Sequence, residues 1–184
     1  VKKDWRASED TRSLDASLID VRNELLREHI DFDYSSEALL TKYASVPKGE
    51  FVVNKARYKA IVVPPMITMR ATTLKLLEQF RQRGGLIVFV GEPAGYIDAE
   101  PSDAVKAFAA RCVCVPTAAD APVAVEAKTR RLSIADAKAK EVRPALYCLR
   151  QDADAYYPFI ANTSIDEAKA GLTYGPRINQ RQAA

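Results

Sequence analysis

Tyr58–Pro93 reads Y-K-A-I-V-V-P-P-M-I-T-M-R-A-T-T-L-K-L-L-E-Q-F-R-Q-R-G-G-L-I-V-F-V-G-E-P, the pattern of one complete β-α-β unit. Ala60 to Val63 is a short unbroken apolar run, as suits a strand buried on both faces of a parallel sheet. Pro64-Pro65 ends it, since neither residue donates to a ladder and both fix φ. Thr68 is placed to cap a helix over about Met69 to Arg83. Leu74, Leu77 and Arg81, flanked by Met69, Leu76 and Phe80, carry the 3.6-residue period of a helix lying on a sheet. Arg81 and Arg83 suit the negative end of its dipole, and Gly84-Gly85 supplies a left-handed C-cap. Leu86 to Val90 is the second buried strand, closed by Gly91. The unit predicts an α/β domain with the two strands parallel and adjacent.

Outward from this unit, the N-terminal side begins with a polar connector over residues 1–10. A helix follows from Thr11, with Leu14, Leu18, Val21, Leu25 and His29 on one stripe. Ile30-Asp31-Phe32-Asp33-Tyr34 alternates as a short strand does. Ser35 and Ser36 cap a second helix through Leu39, Leu40 and Tyr43, ended by Pro47 and Gly49. Phe51 to Val53 reads as an edge strand, with Asn54 and Lys55 turning into the β-α-β unit.

On the C-terminal side, Ser102 and Asp103 start a helix through Val105, Phe108 and Ala109, and Cys112 to Val115 is the next strand. Thr117 to Lys140 carries weaker signals, read as a strand around Val123 to Val125 and a helix after Ser133. Near Val142 the composition changes. Ala145–Arg150 and Tyr156–Asn162 flank Gln151-Asp152-Ala153-Asp154 as a β-hairpin. The expected division is therefore an α/β domain over 1–141 and a hairpin with its tail over 142–184, the latter either pairing onto the sheet or opening an all-β domain.

Composition excludes several classes. The 27 basic and 24 acidic residues give a net charge of +3, too small to demand nucleic acid, and the clusters at Lys128–Arg131 and Arg177–Arg181 read as solvated surface. The longest apolar runs are about five residues, far short of the roughly twenty a membrane helix needs. The first dozen residues are polar and do not form a signal peptide, and the opening Val suggests an excised segment whose parent's compartment is open. Cys112, Cys114 and Cys148 have no metal or disulfide spacing. Cys112 and Cys114 are expected on one face of a strand as small buried hydrophobes, slow toward thiol reagents.

In open α/β sheets ligands bind beyond the carboxyl ends of the strands. Asp31, Asp33 and Glu92 are the carboxylates expected there, with Tyr34 and Met66 beside them. Paired carboxylates do acid–base work; the competing reading makes them helix caps or partners of Arg70. Gly91-Glu92-Pro93-Ala94-Gly95 has the glycine spacing of a nucleophile elbow but no nucleophile at its centre, and His29, the sole histidine, reads as a C-terminal cation or packed side chain. No hydrolytic triad is therefore expected. Gly91 and Gly95 alone are weak as a phosphate cradle, with no Lys-Ser/Thr after them. No cofactor and no metal are expected.

I-D-F-D-Y-S-S-E-A-L-L (30–40) together with 58–91 resembles the domain that follows the catalytic barrel in large bacterial glycoside hydrolases. That domain is akin to the β-galactosidase trimerisation domain and to class I glutamine amidotransferases. A-L-Y-C-L-R-Q-D-A-D-A-Y-Y-P-F-I-A-N-T-S (145–164) looks like the start of the β-sandwich that comes next in such enzymes. The resemblance spans about residues 14–164 and rests on structural rather than catalytic motifs. It departs from the amidotransferase pattern at Pro93, where the cysteine's neighbourhood would be, and no catalytic His follows. The fold's first strand is not evident before Thr11, and the barrel that carries the family's catalytic carboxylates is missing.

The resemblance implies a flavodoxin-like three-layer fold and a non-catalytic accessory role, with contacts to the rest of a multidomain glycosidase or to copies of itself. It implies in addition a carbohydrate-facing rim of Asp31, Asp33, Tyr34, Met66 and Glu92. Carboxylates accept sugar hydroxyls, and an aromatic or Met face packs on a pyranose. The alternative is a stand-alone amidotransferase-like or flavodoxin-like enzyme or ligand-binding domain; a Cys–His pair within reach would favour it.

Overall fold

The computed structural model describes residues 8–163. Most of the expected connector, the tail from Asp166 and the Arg177–Arg181 cluster lie outside the described residues. The fold is mixed α/β, with several small sheets of which one is parallel.

The chain enters through helix α1 (Glu9–Arg27), whose second half carries the buried Val21 and Leu25 while Leu18 remains 38% exposed. The helix ends in a Schellman motif. His29 takes a left-handed φ of 53°, its N–H bonds to Leu26 O, and the Ile30 N–H bonds to Leu25 O. Residues 30–36 then run without a ladder partner, so the strand expected there is an extended link. Alternation alone does not make a strand where no neighbouring edge is offered.

Helix α2 (Glu37–Tyr43) is capped by the Ser36 hydroxyl, as its sequence predicts. Strands β1 (Ala44–Ser45), β2 (Phe51–Val53) and β3 (Ala56–Tyr58) form an antiparallel meander. Asn54 and Lys55 thus turn the chain back into β3 rather than directly into the β-α-β unit. Asn54, at φ 55°, is the kind of residue that tolerates this turn.

The β-α-β unit forms as predicted. Strand β4 (Ala60–Val63) leads through β5 (Thr68–Met69) and helix α3 (Ala71–Gln82) to β6 (Leu86–Val90), which pairs parallel with β4 from Ala60↔Leu86 to Val63↔Phe89. Thr73, Leu74, Leu77 and Phe80 are the buried face of α3, whereas Arg81 is exposed. Thr68 does not cap α3. It lies in β5, two residues before the N-cap Arg70, and its hydroxyl accepts the Ala99 N–H. The orphan amides at the start of α3 are served from elsewhere: Glu37 accepts the Arg70 N–H at 2.8 Å and the Asp98 carboxylate faces the Ala71 N–H at 3.4 Å.

Strands β7 (Tyr96–Ile97) and β8 (Glu100–Pro101) complete a small sheet with β5. Helix α4 (Ala104–Ala109) and strand β9 (Val113–Val115) follow at the predicted places, and β9 pairs parallel with β6. The order β4-β6-β9 leaves β9 at an edge. That position overturns the burial expected of the cysteines: Cys114 is exposed and Cys112 only half-buried.

Ala121–Thr129 is helix α5, not a strand at Val123 to Val125. Thr117 and Asp120 form a capping box ahead of it and Pro122 sits in its first turn, both helix-start signals that outweigh two valines spaced by one residue. Among the described residues no helix follows Ser133; residues 133–144 hold an isolated bridge, Ala135↔Glu141. Strands β10 (Ala145–Gln151) and β11 (Tyr156–Asn162) form the predicted hairpin, as a two-stranded sheet of its own that does not join the parallel one.

Strand β6 decides where the core sits. Its period of two sends Ile87 and Phe89 into a cluster with Val63, Leu74, Leu77, Phe80, Val105 and Phe108. Val88 and Val90 enter a second cluster with Val21, Leu25, Ile30, Ala121 and Val125. Each fully buried side chain of this size stabilises by about 1.5–3 kcal/mol. Among the described residues no helix is long and apolar enough to cross a membrane.

Candidate functional site

The loops after β4 and β6 meet at the carboxyl end of the parallel sheet. Gly91, at φ 66°, bonds through its N–H to Val115 O, and a Cβ added to it would lie 3.4 Å from Pro65 Cγ. Met66 follows β4, half-buried and packed against the first cluster, while Glu92 follows β6 and is exposed. Asp33 has a different neighbour: its carboxylate accepts the Tyr58 hydroxyl at 2.8 Å, and Tyr58 lies just ahead of β4. Asp33 is therefore tied to a residue at the amino end of the sheet and is not a helix cap. Burial, then the hydrogen bond to Asp33, pushes the Tyr58 phenol up to about 12. Tyr34 is 61% exposed and packs edge-on to Phe32, beside the exposed Asp31. Tyr34 thus offers an exposed aromatic surface, while Met66 and Glu92 lie after the opposite ends of the strands from Tyr58.

The densest polar cluster lies at the C-terminus of α1. The left-handed turn aims the His29 ring inward, where it is 2% exposed, and both its nitrogens meet partners from the chain beyond α5. Nε2 donates to Ala145 O at 2.9 Å, Nδ1 contacts the Glu141 carboxylate, and the Tyr147 hydroxyl donates to His29 O at 3.3 Å. Glu141 also accepts from the Ser133 hydroxyl and lies 3.4 Å from Arg130. Arg130 in turn reaches Glu28 and Glu126, and Glu28 accepts a 2.8 Å bond from Arg143. Burial pushes the Glu141 carboxyl up, but hydrogen bonds from His29 and Ser133 and the charge of Arg130 outweigh it and hold the group below its usual range.

Ser133, Glu141 and His29 have the residue types of a hydrolytic triad in the wrong order. The hydroxyl meets the carboxylate, whereas a nucleophile must meet the imidazole. The cluster clasps residues 133–147 to the end of α1. His29 was legible as a packed terminal residue, but its partner 112 positions later carried no local signal.

Two shallow depressions mark the surface. One of about 330 Å³ lies between Glu78, Arg81, Gln82, Phe108 and Arg111. The other, about 450 Å³, gathers Glu50, Arg57, Tyr58, Lys59 and Lys128 with Gly84 and Gly85 at the amino end of the sheet. Among the described residues, no group of three or more His, Cys, Asp or Glu is arranged to hold a metal ion.

Compared with protein-family models, with curated proteins and with solved structures, the chain matches none at a significant level.

Proposed function

We propose that this chain is a non-catalytic accessory domain of a bacterial glycoside hydrolase, making interdomain or subunit contacts. The observation that carries the contact role is the β10–β11 hairpin. Tyr156, Tyr157, Phe159 and Ile160 are 61%, 55%, 71% and 50% exposed, so consecutive residues on both faces of β11 leave large apolar groups in water. A two-stranded hairpin is marginal by itself, and a contiguous exposed apolar patch marks an interaction surface. The glycosidase parent rests on the sequence resemblance alone. The same reading takes the parallel sheet as part of a flavodoxin-like three-layer architecture; the two clusters fed by opposite faces of β6 support it.

The proposal includes a carbohydrate-facing role for Asp31, Asp33, Tyr34, Met66 and Glu92, with Asp33 held toward the amino end of the sheet and Met66 and Glu92 in the loops at its carboxyl end. Tyr34 suits it best, as an exposed ring beside two carboxylates. In isolation such a rim binds monosaccharides no more tightly than about millimolar, near −4 kcal/mol.

The test is amide exchange of Tyr156–Asn162 in this chain alone and in the intact protein that contains it. Strong added protection in the intact protein is expected; equal exchange in both would sink the contact role. Asp33→Ala and Glu92→Ala in the intact protein report on the rim, and an unchanged specificity constant for both removes sugar contact from the proposal. Thiol-dependent release of ammonia from glutamine by the isolated chain would replace the accessory reading with an enzymatic one.

A further inference from the structure

We propose that Cys112 and Cys114 form a dithiol site that an anionic low-molecular-weight disulfide converts into an intrachain disulfide. The two residues are separated only by Val113 at the start of β9. Cys112 is the bend residue just ahead of β9 and Cys114 lies within the strand, so the fully extended spacing of about 6.4–6.8 Å is an upper limit on their backbone separation. That separation reaches the upper part of the Cα range that disulfides span.

The side chains converge further. The Cys112 thiol donates to Phe108 O at 3.6 Å and the Cys114 thiol to Ala109 O at 3.3 Å, adjacent carbonyls in the last turn of α4. Both sulfurs therefore sit on one helix end. Cys114 is exposed and open to an incoming reagent, with Cys112 half-buried beside it. Among the described residues strand β9 pairs with β6 alone, so closing the bridge disturbs one ladder.

The surroundings favour an anionic reagent. The 330 Å³ depression next to the site brings Arg81 and Arg111 together, with Arg81 Nε bonded to Arg111 O and Arg111 lying over the Phe108 ring. Glu78, 3.7 Å from Arg111, balances one of the two positive charges. Burial raises the Cys112 thiol, and the arginines pull it back in part. Cys114 accordingly attacks first and Cys112 resolves.

The steps balance. The Cys114 thiolate attacks one sulfur of the reagent, whose S–S bond breaks, and the first small thiolate leaves and takes up a proton. Cys112 then loses its proton to water and attacks Cys114 Sγ, expelling the second small thiolate. Two protein thiols are oxidised and one small disulfide is reduced to two thiols. A bridge between such near neighbours is strained and readily reduced.

The experiment treats the whole chain with oxidised glutathione, alkylates the remaining thiols, and reads intact mass and peptide maps. The expected wild-type product carries the bridge, two hydrogens short, in the 112–114 peptide whether or not the exposed Cys148 also takes an adduct, and dithiothreitol reverses both. Cys112→Ser should stop at a glutathione adduct on Cys114, Cys114→Ser should form no bridge, and Cys148→Ser should behave as wild type. Arg111→Ala should slow the reaction several-fold with glutathione disulfide but not with uncharged hydroxyethyl disulfide, as local positive potential steers an anion. A wild-type product that stops at a mixed disulfide, or carries its adduct only on Cys148, overturns the dithiol site. An equal effect of Arg111→Ala on both reagents overturns the anion preference.

Discussion

His29 and Glu141, 112 residues apart in sequence, meet ring to carboxylate at the end of α1, and this contact fastens the β10–β11 hairpin to the α/β body. Among the described residues no strand pairing joins the hairpin to the other sheets, and side chains hold it. His29→Phe and Glu141→Ala each strand a polar partner and should destabilise by about 1.5–3 kcal/mol. Urea unfolding checks the magnitude. Amide exchange across Ala145–Gln151 checks the place: it should rise in both variants while the β4 and β6 amides keep their protection.

Acid should loosen the same clasp. The folded state holds the Glu141 carboxyl below its ordinary value of 4.5, so its contribution is fully present above that value and is lost as pH falls through the lower folded one. Asp136 and Asp152 are lowered too and titrate in the same window. The comparison that isolates Glu141 is therefore wild type against Glu141→Gln. The stability gap between the two should stay constant above about pH 4.5 and close as pH falls below it. Parallel curves throughout the acid range would remove Glu141 as the acid-sensitive group.

The start of α3 is held by side chains from two other segments, Glu37 on α2 and Asp98 in the β7–β8 turn. Both supply negative charge where the helix dipole is positive. Asp98→Ala or Glu37→Ala should cost about 0.5–2 kcal/mol, as loss of a helix cap does. Asp98→Asn, which keeps the acceptor, should cost less. Thr68→Ala should leave the α3 amides unaffected and instead loosen the Ala99 turn, which amide exchange separates.

The contrast between Thr68 and Gly84 shows what the sequence could and could not disclose. Gly84 at the end of α3 needs only its own helix to be interpreted, and it takes the left-handed φ of 85° that two successive glycines announce. The start of α3 depends on Glu37 and Asp98, which only the folded chain brings near. The same division holds elsewhere. The strands, the helix and the C-cap of the β4-α3-β6 unit are local and legible apart from the start of α3, whereas residues 30–34 alternate as a strand does but find no strand to pair with. Val123 and Val125 alternate as a strand does, but the Thr117–Asp120 box and Pro122 start a helix across them. Of the candidate rim, the Asp33–Tyr58 bond was hidden for the same reason as Glu141: it joins segments 25 residues apart.

Phe80 and Gly85 provide the sharpest packing test. The Gly85 N–H bonds to Phe80 O and the Gly84 N–H to Arg81 O, the paired bonds of a Schellman motif. The Phe80 ring, 1% exposed, folds back over Gly85 so closely that a Cβ there would lie 2.5 Å from its carbons. Gly85→Ala must push the ring out of the cluster it shares with Phe51, Leu77 and Phe89, at a cost of about 1–3 kcal/mol. Gly84→Ala meets open space and suffers only the left-handed backbone, about 1–2 kcal/mol. Phe80→Ala should cost about 3–5 kcal/mol and Leu77→Ala about 2–5 kcal/mol. Combining Gly85→Ala with Phe80→Leu separates the two origins. If ring overlap is the cause, the second substitution makes room for the first, and the double variant falls short of the sum of the single costs. Simple additivity in urea unfolding would mean that Gly85 is required for its backbone and not for the ring above it.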